Sequence, residues 1–521
     1  MERYGGSAIN QQTILSHPVG LFVLFFTEMW ERFSYYGMRA LLVIFLTAEL
    51  LDGGWAWSRE DALGLYGTYT MLVYFSPILG GFLADRLIGH RNSVALGALI
   101  MTLGHASMAM ETHLGLYLGI GLLVAGNGFF KPNITSIISE IYKGHTEKKD
   151  GAYTIFYMGV NAGAFLGIML CGYIGEKVGW SYGFGLAGIF MFFGMLQFWF
   201  AQKIFGRIGL SPKQKALYQA EEAAEEIVEE KAEEKVSMSV QRDRLIVIGI
   251  FAFFTIFFWA AFEQAGGSMT IFARDYTDRI LEGTAANTFK IVDTLLTIGP
   301  LVVITWVLFK LFSKLFAHYP LSNIALGTSF LIIWGIVLWK VQREWSADNT
   351  EVPATWFGIL NSFYIITFAP LFSKIWDSKY NPPGSVKFGI GLILLGVGFG
   401  ALAYGSTAIP QGAETAAVSM VWLILAYLFH TLGELCLSPV GLSYVSKLAP
   451  AGLIGFMFGI WYIAIGMGNK LAGSIGGLID KISAAYSLSS FFLIFTLIPF
   501  AAGIIMIALT PLIKRLMHGV E

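Results

Sequence analysis

The sequence predicts an all-α polytopic membrane protein, and three observations carry that prediction. The 521 residues are 55% hydrophobic and only 13% charged, well below the ~25% charge of soluble domains. Mean hydropathy is +0.64. Apolar windows long enough to form transmembrane helices recur along the chain. A net charge of −1 gives no argument for a nucleic-acid partner. The two cysteines, Cys171 and Cys436, sit far apart in apolar spans and read as small core residues, with no disulfide framework. The first apolar run lacks a cleavage pattern, so no secretory signal is expected.

Fourteen windows follow in order: 20–48, 62–87, 92–111, 114–141, 152–174, 180–203, 244–273, 290–315, 321–341, 356–376, 386–408, 416–445, 452–477 and 486–515. Loops alternate in charge. Arg86 and Arg91, then Lys143, Lys148 and Lys149, the 204–243 segment, Lys374 and Lys379, and Lys514 and Arg515 fall on one side. Loops near 109–113 and 406–415 carry no Lys or Arg. The positive-inside rule therefore predicts cytoplasmic termini. Segment 204–243 divides the chain, and its run Ala220–Lys235 is a strong helix former with almost no apolar face. It reads as a solvated cytoplasmic connector.

The first window carries a polar stripe: Glu28, Glu31, Arg32, Tyr35, Tyr36 and Arg39, at offsets of 3, 4, 7, 8 and 11 from the first. At about 1.5 Å per residue the stripe runs roughly 16 Å along one helix face. Ionisable groups at such depth are tolerated only facing a bundle interior or a wet cavity. Two carboxylates beside an arginine can hold or release a proton, because pairing and desolvation act on them in opposite directions.

After the second window comes Gly80-Gly81-Phe82-Leu83-Ala84-Asp85-Arg86-Leu87-Ile88-Gly89-His90-Arg91. This G-x-x-x-D-R-x-x-G-x-R pattern resembles the cytoplasmic loop signature of the major facilitator superfamily. The resemblance implies two six-helix bundles around a central cavity, plus two additional helices here. The stripe Glu28-Met29-Trp30-Glu31-Arg32-Phe33-Ser34-Tyr35-Tyr36-Gly37 resembles the E-x-x-E-R-F-x-Y-Y-G motif of the proton-dependent oligopeptide transporter family. Phe156-Tyr157-Met158-Gly159-Val160-Asn161-Ala162-Gly163 resembles that family's F-Y-x-x-I-N-x-G segment, with Val160 departing from it. Gly126 to Pro132 resembles its glycine-rich stretch ending in Lys131-Pro132. Glu263, in Phe262-Glu263-Gln264, and Glu434, in Gly433-Glu434-Leu435, resemble family carboxylates on the seventh and tenth core helices. Asn361, Trp461 and Tyr74 match shorter cavity motifs.

The resemblance implies a proton-coupled symporter importing di- and tripeptides by alternating access. Glu28, Glu31, Arg32 and Glu263 would handle the proton. Arg39 and Lys131 would hold the peptide carboxylate and Glu434 the amine. Asn161 and Asn361 would hydrogen-bond the peptide, and Tyr35, Tyr36, Tyr74 and Trp461 would shape the pocket. Arg39 with Glu263, and Lys131 with Glu434, would be gate pairs. The implied partners are peptides, protons and membrane lipids, with function as a monomer and a bacterial inner-membrane location. No cofactor or metal is expected beyond the coupling proton. The expected domains are a first bundle over 1–203, the linker 204–243, a second bundle over 244–515 and a tail over 516–521. A hairpin inserted at about 290–341 reads as a peripheral lipid-facing pair, interrupted by Lys310, Lys314 and His318 near the cytoplasmic side.

Two other classes are weaker. A relative carrying nitrate, a drug or another small solute would be expected to lack the amine-binding carboxylate, and Glu434 is present. A membrane-embedded enzyme finds no metal-spaced His/Cys cluster and no G-x-S-x-G or nucleotide loop.

Overall fold

The computed structural model describes residues 4–216, 237–450 and 453–520. The run Ala220–Lys235 lies outside the described residues. Fourteen long helices appear among the described residues: α1 Val19–Thr47, α2 Arg59–Leu83, α3 His90–Met108, α4 His113–Ile141, α5 Lys149–Lys177, α6 Trp180–Ala201 and α7 Met238–Phe262, followed by α8 Gly283–Leu315, α9 Pro320–Ser346, α10 Ile359–Trp376, α11 Gly384–Gly405, α12 Val421–Leu448, α13 Ile454–Gly476 and α14 Leu488–Ala508. Each falls on one of the fourteen apolar windows. Twelve helices are long and apolar enough to cross a membrane by length and composition. α1 is not among them, because its charged stripe enters every window of spanning length. α3 opens on the polar run His90-Arg91-Asn92-Ser93.

Local chemistry sets several ends. Thr112 caps α4 by accepting from the Gly115 amide (3.0 Å), and Ser487 caps α14 from Ser490 (3.0 Å). Six of the helices contain an interior proline, at 77, 132, 300, 370, 439 and 499. Membrane helices tolerate this because neighbouring groups re-satisfy the freed carbonyls. α7 does not continue past Phe262. The chain tightens into a 3-10 turn over Glu263–Gly266, resumes for one turn at Ser268–Ile271, and widens into a π-helical turn over Phe272–Tyr276. The break falls at a carboxylate that sequence places mid-span, and mid-helix irregularity of this kind marks functional sites.

The described residues group into two compact units. One draws on Met1–Leu41, Ser76–Glu226 and Arg279–Trp356, the other on Leu42–Phe75, Ile227–Asp278 and Phe357–Glu521. In the first, α3 packs along α4 and α6, α5 along α6, and α9 along α6. In the second, α11 packs between α12 and α14, and α13 along α7.

The inserted hairpin, α8 and α9, belongs to the first unit, and its reading as a lipid-facing pair needs correction. One face does expose apolar side chains, among them Leu295, Val303 and Phe309. The other is polar and packed. Asp293 and Lys340 are 4% and 2% exposed and form an ion pair. Trp356 donates its indole N–H to Asp293 (3.1 Å), and Thr297 donates to the Met169 sulfur on α5 (2.9 Å). Tyr173 of α5 donates to Glu344 (2.6 Å). At the foot, two-residue strands Ile280–Leu281 and Thr350–Glu351 pair antiparallel. Glu351 there meets Lys177 (2.6 Å) and Arg279 (3.0 Å). Burial pushes its carboxyl up, but those two cations outweigh burial and hold it below the usual carboxylate range. This link is therefore complete at neutral pH and is lost as pH falls through that lowered value.

Candidate transport site

In the first unit Glu28, Glu31 and Arg32 form one buried cluster. The Arg32 guanidinium pairs with Glu28 (Nε to Oε1, 3.1 Å) and with Glu31 through the same nitrogen. Glu31 is fully buried, and Glu28 and Arg32 are 4% exposed. Among the described residues Glu28 Oε2 and Glu31 Oε1 accept no hydrogen bond, so each carboxylate keeps an oxygen where a proton can bind. Lys131 on α4 acts electrostatically on Glu28, Glu31 and Arg32, which joins it to the same cluster. Four ionisable groups in one buried site cannot change charge independently.

Two aromatic rings extend the cluster along α1. Arg32 lies over the Tyr35 ring (5.1 Å) and Arg39 over Tyr36 (5.6 Å), and the two rings meet edge-on at 5.0 Å. The stripe is thus continuous from Glu28 to Arg39.

α5 packs against α1 through a glycine stripe. A Cβ at Gly159, Gly163 or Gly167 of α5 would strike Phe25, Met29 and Phe33 of α1, the last two at their backbone carbonyls. The spacing of four keeps all three glycines on one face, which lets the two backbones approach closely. Asn161 lies between the first two, buried, with its amide donating to the Tyr157 carbonyl (3.0 Å). That bond uses one of the two amide protons.

The second unit holds the remaining residues. Glu263 accepts from the Tyr66 hydroxyl of α2 (2.6 Å) and is 3% exposed. Asn361 on α10 donates to Glu434 (2.9 Å) and to Thr431 (3.1 Å), both on α12. This amide holds the Glu434 carboxylate in a fixed orientation. Tyr74 meets the rings of Trp259 and Tyr462, each at 6.3 Å. Trp461 is 2% exposed and lies against Gly441, where a side chain would collide with the indole. Arg39 and Glu263 fall in different units, as do Lys131 and Glu434.

A seam within the second unit was not singled out in sequence. The first half of α2 runs antiparallel to α13 and its extension. Arg59 bonds Asp480 (2.6 Å) and Asp275 (2.7 Å), and Lys481 bonds Glu60 (2.8 Å). Below these ion pairs, Gly67 and Gly473 meet backbone to backbone, Lys470 donates to Thr68 (2.7 Å), and Gly466 faces the Phe75 ring. α2 precedes the linker and α13 follows it, so the seam ties the two sequence halves together at the end of α2 that sequence assigns to the non-cytoplasmic side. A signal existed: Lys470 is an intramembrane lysine, as Lys131 is.

The comparisons with known proteins agree with this architecture. The sequence model of the POT family matches residues 91–220 and 328–491, more than half of the chain. The uncharacterized transporter YclF of Bacillus subtilis is 31% identical, with 98% of each chain covered. The peptide transporter YePEPT of Yersinia enterocolitica is 29% identical, covering 98% of this chain and 97% of the relative. A solved structure of a variant POT peptide transporter in complex with alafosfalin superposes with a TM-score of 0.74 at 28% identity, covering 98% of each chain. With its buried Glu28–Glu31–Arg32 cluster, its helical membrane architecture and these matches, the chain belongs to the POT family of transporters.

Proposed function

We propose that this protein is a proton-coupled symporter that brings di- and tripeptides into the cytoplasm by alternating access. The observation that carries the reading is the buried Glu28–Glu31–Arg32 cluster with Lys131 in electrostatic contact. It is a site built to exchange a proton inside a membrane. The similar proteins of Yersinia enterocolitica and Lactococcus lactis, a peptide transporter and a di-/tripeptide transporter, support the substrate class.

A short peptide is a zwitterion, so its pocket needs opposite charges at its ends. Arg39 and Lys131 suit the carboxylate. Glu434, oriented by Asn361, suits the amine. Asn161 and Asn361 would bond the peptide backbone, while Tyr35, Tyr36, Tyr74 and Trp461 would bound the side-chain space. Contacts to termini and backbone read no side chain, which allows one pocket many peptides. The α2–α13 seam supports a state closed on the non-cytoplasmic side. Reopening there would require the Arg59, Glu60 and Thr68 contacts to part, and charging or discharging Glu263 beside Tyr66 would bias that step. We place the protein in a bacterial inner membrane with both termini cytoplasmic, acting as a monomer with the proton as its coupling ion.

The test is labelled dialanine uptake into proteoliposomes. Accumulation is expected only with an acidic exterior, and uptake indifferent to the pH gradient sinks the symport reading. Within the same assay, Glu434→Gln removes the amine's counter-charge. Its half-saturating dialanine concentration should rise about tenfold or more, as befits a charged hydrogen bond of roughly 1.5–3 kcal/mol. An unchanged value removes Glu434 from the amine site.

A further inference from the structure

The ring that backs the acidic cluster is held partly by the inserted hairpin. Trp30 lies between Glu28 and Glu31 in sequence and points to the opposite side of α1, where it is fully buried. Phe190 of α6 stacks on it at 4.6 Å, and Phe330 of α9 meets it edge-on at 5.6 Å. Phe330 also contacts Phe26, one turn earlier on α1, at 5.7 Å. The Trp30 indole N–H finds no acceptor among the described residues, so packing alone fixes this ring.

A second route joins the same elements. Ser322 of α9 donates to the Gln197 carbonyl of α6 (2.8 Å). The Gln197 side chain in turn donates to Val23 (3.1 Å) and accepts from Thr27 (2.9 Å), the residue before Glu28. The hairpin is itself registered against α5 by the polar groups around Asp293 and Lys340. A pair of helices held by buried charges cannot slide or rotate without separating them.

We propose that Phe330 is a positioning residue for proton coupling: through Trp30, α9 fixes the turn of α1 that carries Glu28, Glu31 and Arg32. The hairpin then does more than fill space beside the bundle. It sets where that turn stands against Lys131 of α4. The inference rests on the proposed role of Glu28 and Glu31 as proton-binding groups, so its test reads those groups directly and does not depend on peptide.

The full-length protein in detergent is treated with a hydrophobic carbodiimide, which modifies protonated carboxyl groups in apolar sites. Adducts at Glu28, Glu31 and Glu263 are timed by mass spectrometry in the wild type, Phe330→Ala and Phe330→Leu. In Phe330→Ala the modification rate of the Glu28/Glu31 segment is expected to change about tenfold, short of the hundredfold attached to an ångström of misplacement. Glu263 should react at its wild-type rate, and Phe330→Leu should restore most of the difference. A Glu28/Glu31 rate that stays at the wild-type value overturns the proposal. So does an equal change at Glu263, which marks general loosening. Failure of the peptide reading would appear elsewhere, as absence of dialanine uptake by the wild type.

Discussion

Concentrative uptake of dialanine should vanish in Glu31→Gln, while exchange of labelled for unlabelled peptide across the same membrane continues. Glu31 is fully buried and shares Arg32 with Glu28. The amide is close in shape but cannot take up and release a proton, so the arginine loses one of its two counter-charges permanently. Moving one charge through 100 mV is worth about 2.3 kcal/mol, or about a fiftyfold concentration ratio. That is the accumulation expected to be lost. Exchange needs only that the loaded carrier reorient, so it survives. Glu28→Gln is expected to behave alike, since its carboxylate holds the same guanidinium nitrogen. If both variants still concentrate peptide under a pH gradient, the cluster does not couple the proton.

The second large effect concerns stability. Asp293→Asn or Lys340→Met alone leaves a buried charge without its counter-ion, which costs roughly 3–5 kcal/mol. Replacing both together by apolar groups of similar volume removes the uncompensated charge and should recover most of the loss. Thermal unfolding in detergent of the two single variants and the double variant measures this. Additive losses would mean that the pair does not act as a unit.

The helices were legible in the sequence because apolar windows of spanning length have few alternatives inside a bilayer. Even α1, too charged to qualify by composition, was legible because its charges fall on one face. The site was legible where residues travel together in one long motif: Glu28, Glu31 and Arg32 do meet, whereas the bond from Asn361 to Glu434 was not foreseen. What escaped was pairing between distant segments. Tyr66 as the partner of Glu263, and Lys470 as the partner of Thr68, depend on which helices lie side by side. Periodicity within a helix does not report that. Asp293 and Lys340 escaped for another reason. The surrounding windows are apolar enough to span despite them, and single charges 47 residues apart carry no spacing that joins them. The rule that intramembrane charges mark function, applied to Lys131, applies equally to these.

The make-up of the α2–α13 seam bears on speed. At Gly67 and Gly473 the two helices meet backbone on backbone, and the ion pairs Arg59–Asp480 and Lys481–Glu60 are open to water on one side, as the 55% exposure of the Asp480 side chain shows. Exposed pairs of that kind contribute about 0–1 kcal/mol each. A carrier has to undo such a contact once in every turnover. Many shallow interactions in series can be broken one at a time, each by thermal motion, whereas one deep hydrophobic lock would have to yield all at once. The seam therefore fits a closure that is tight against leakage yet quick to reverse.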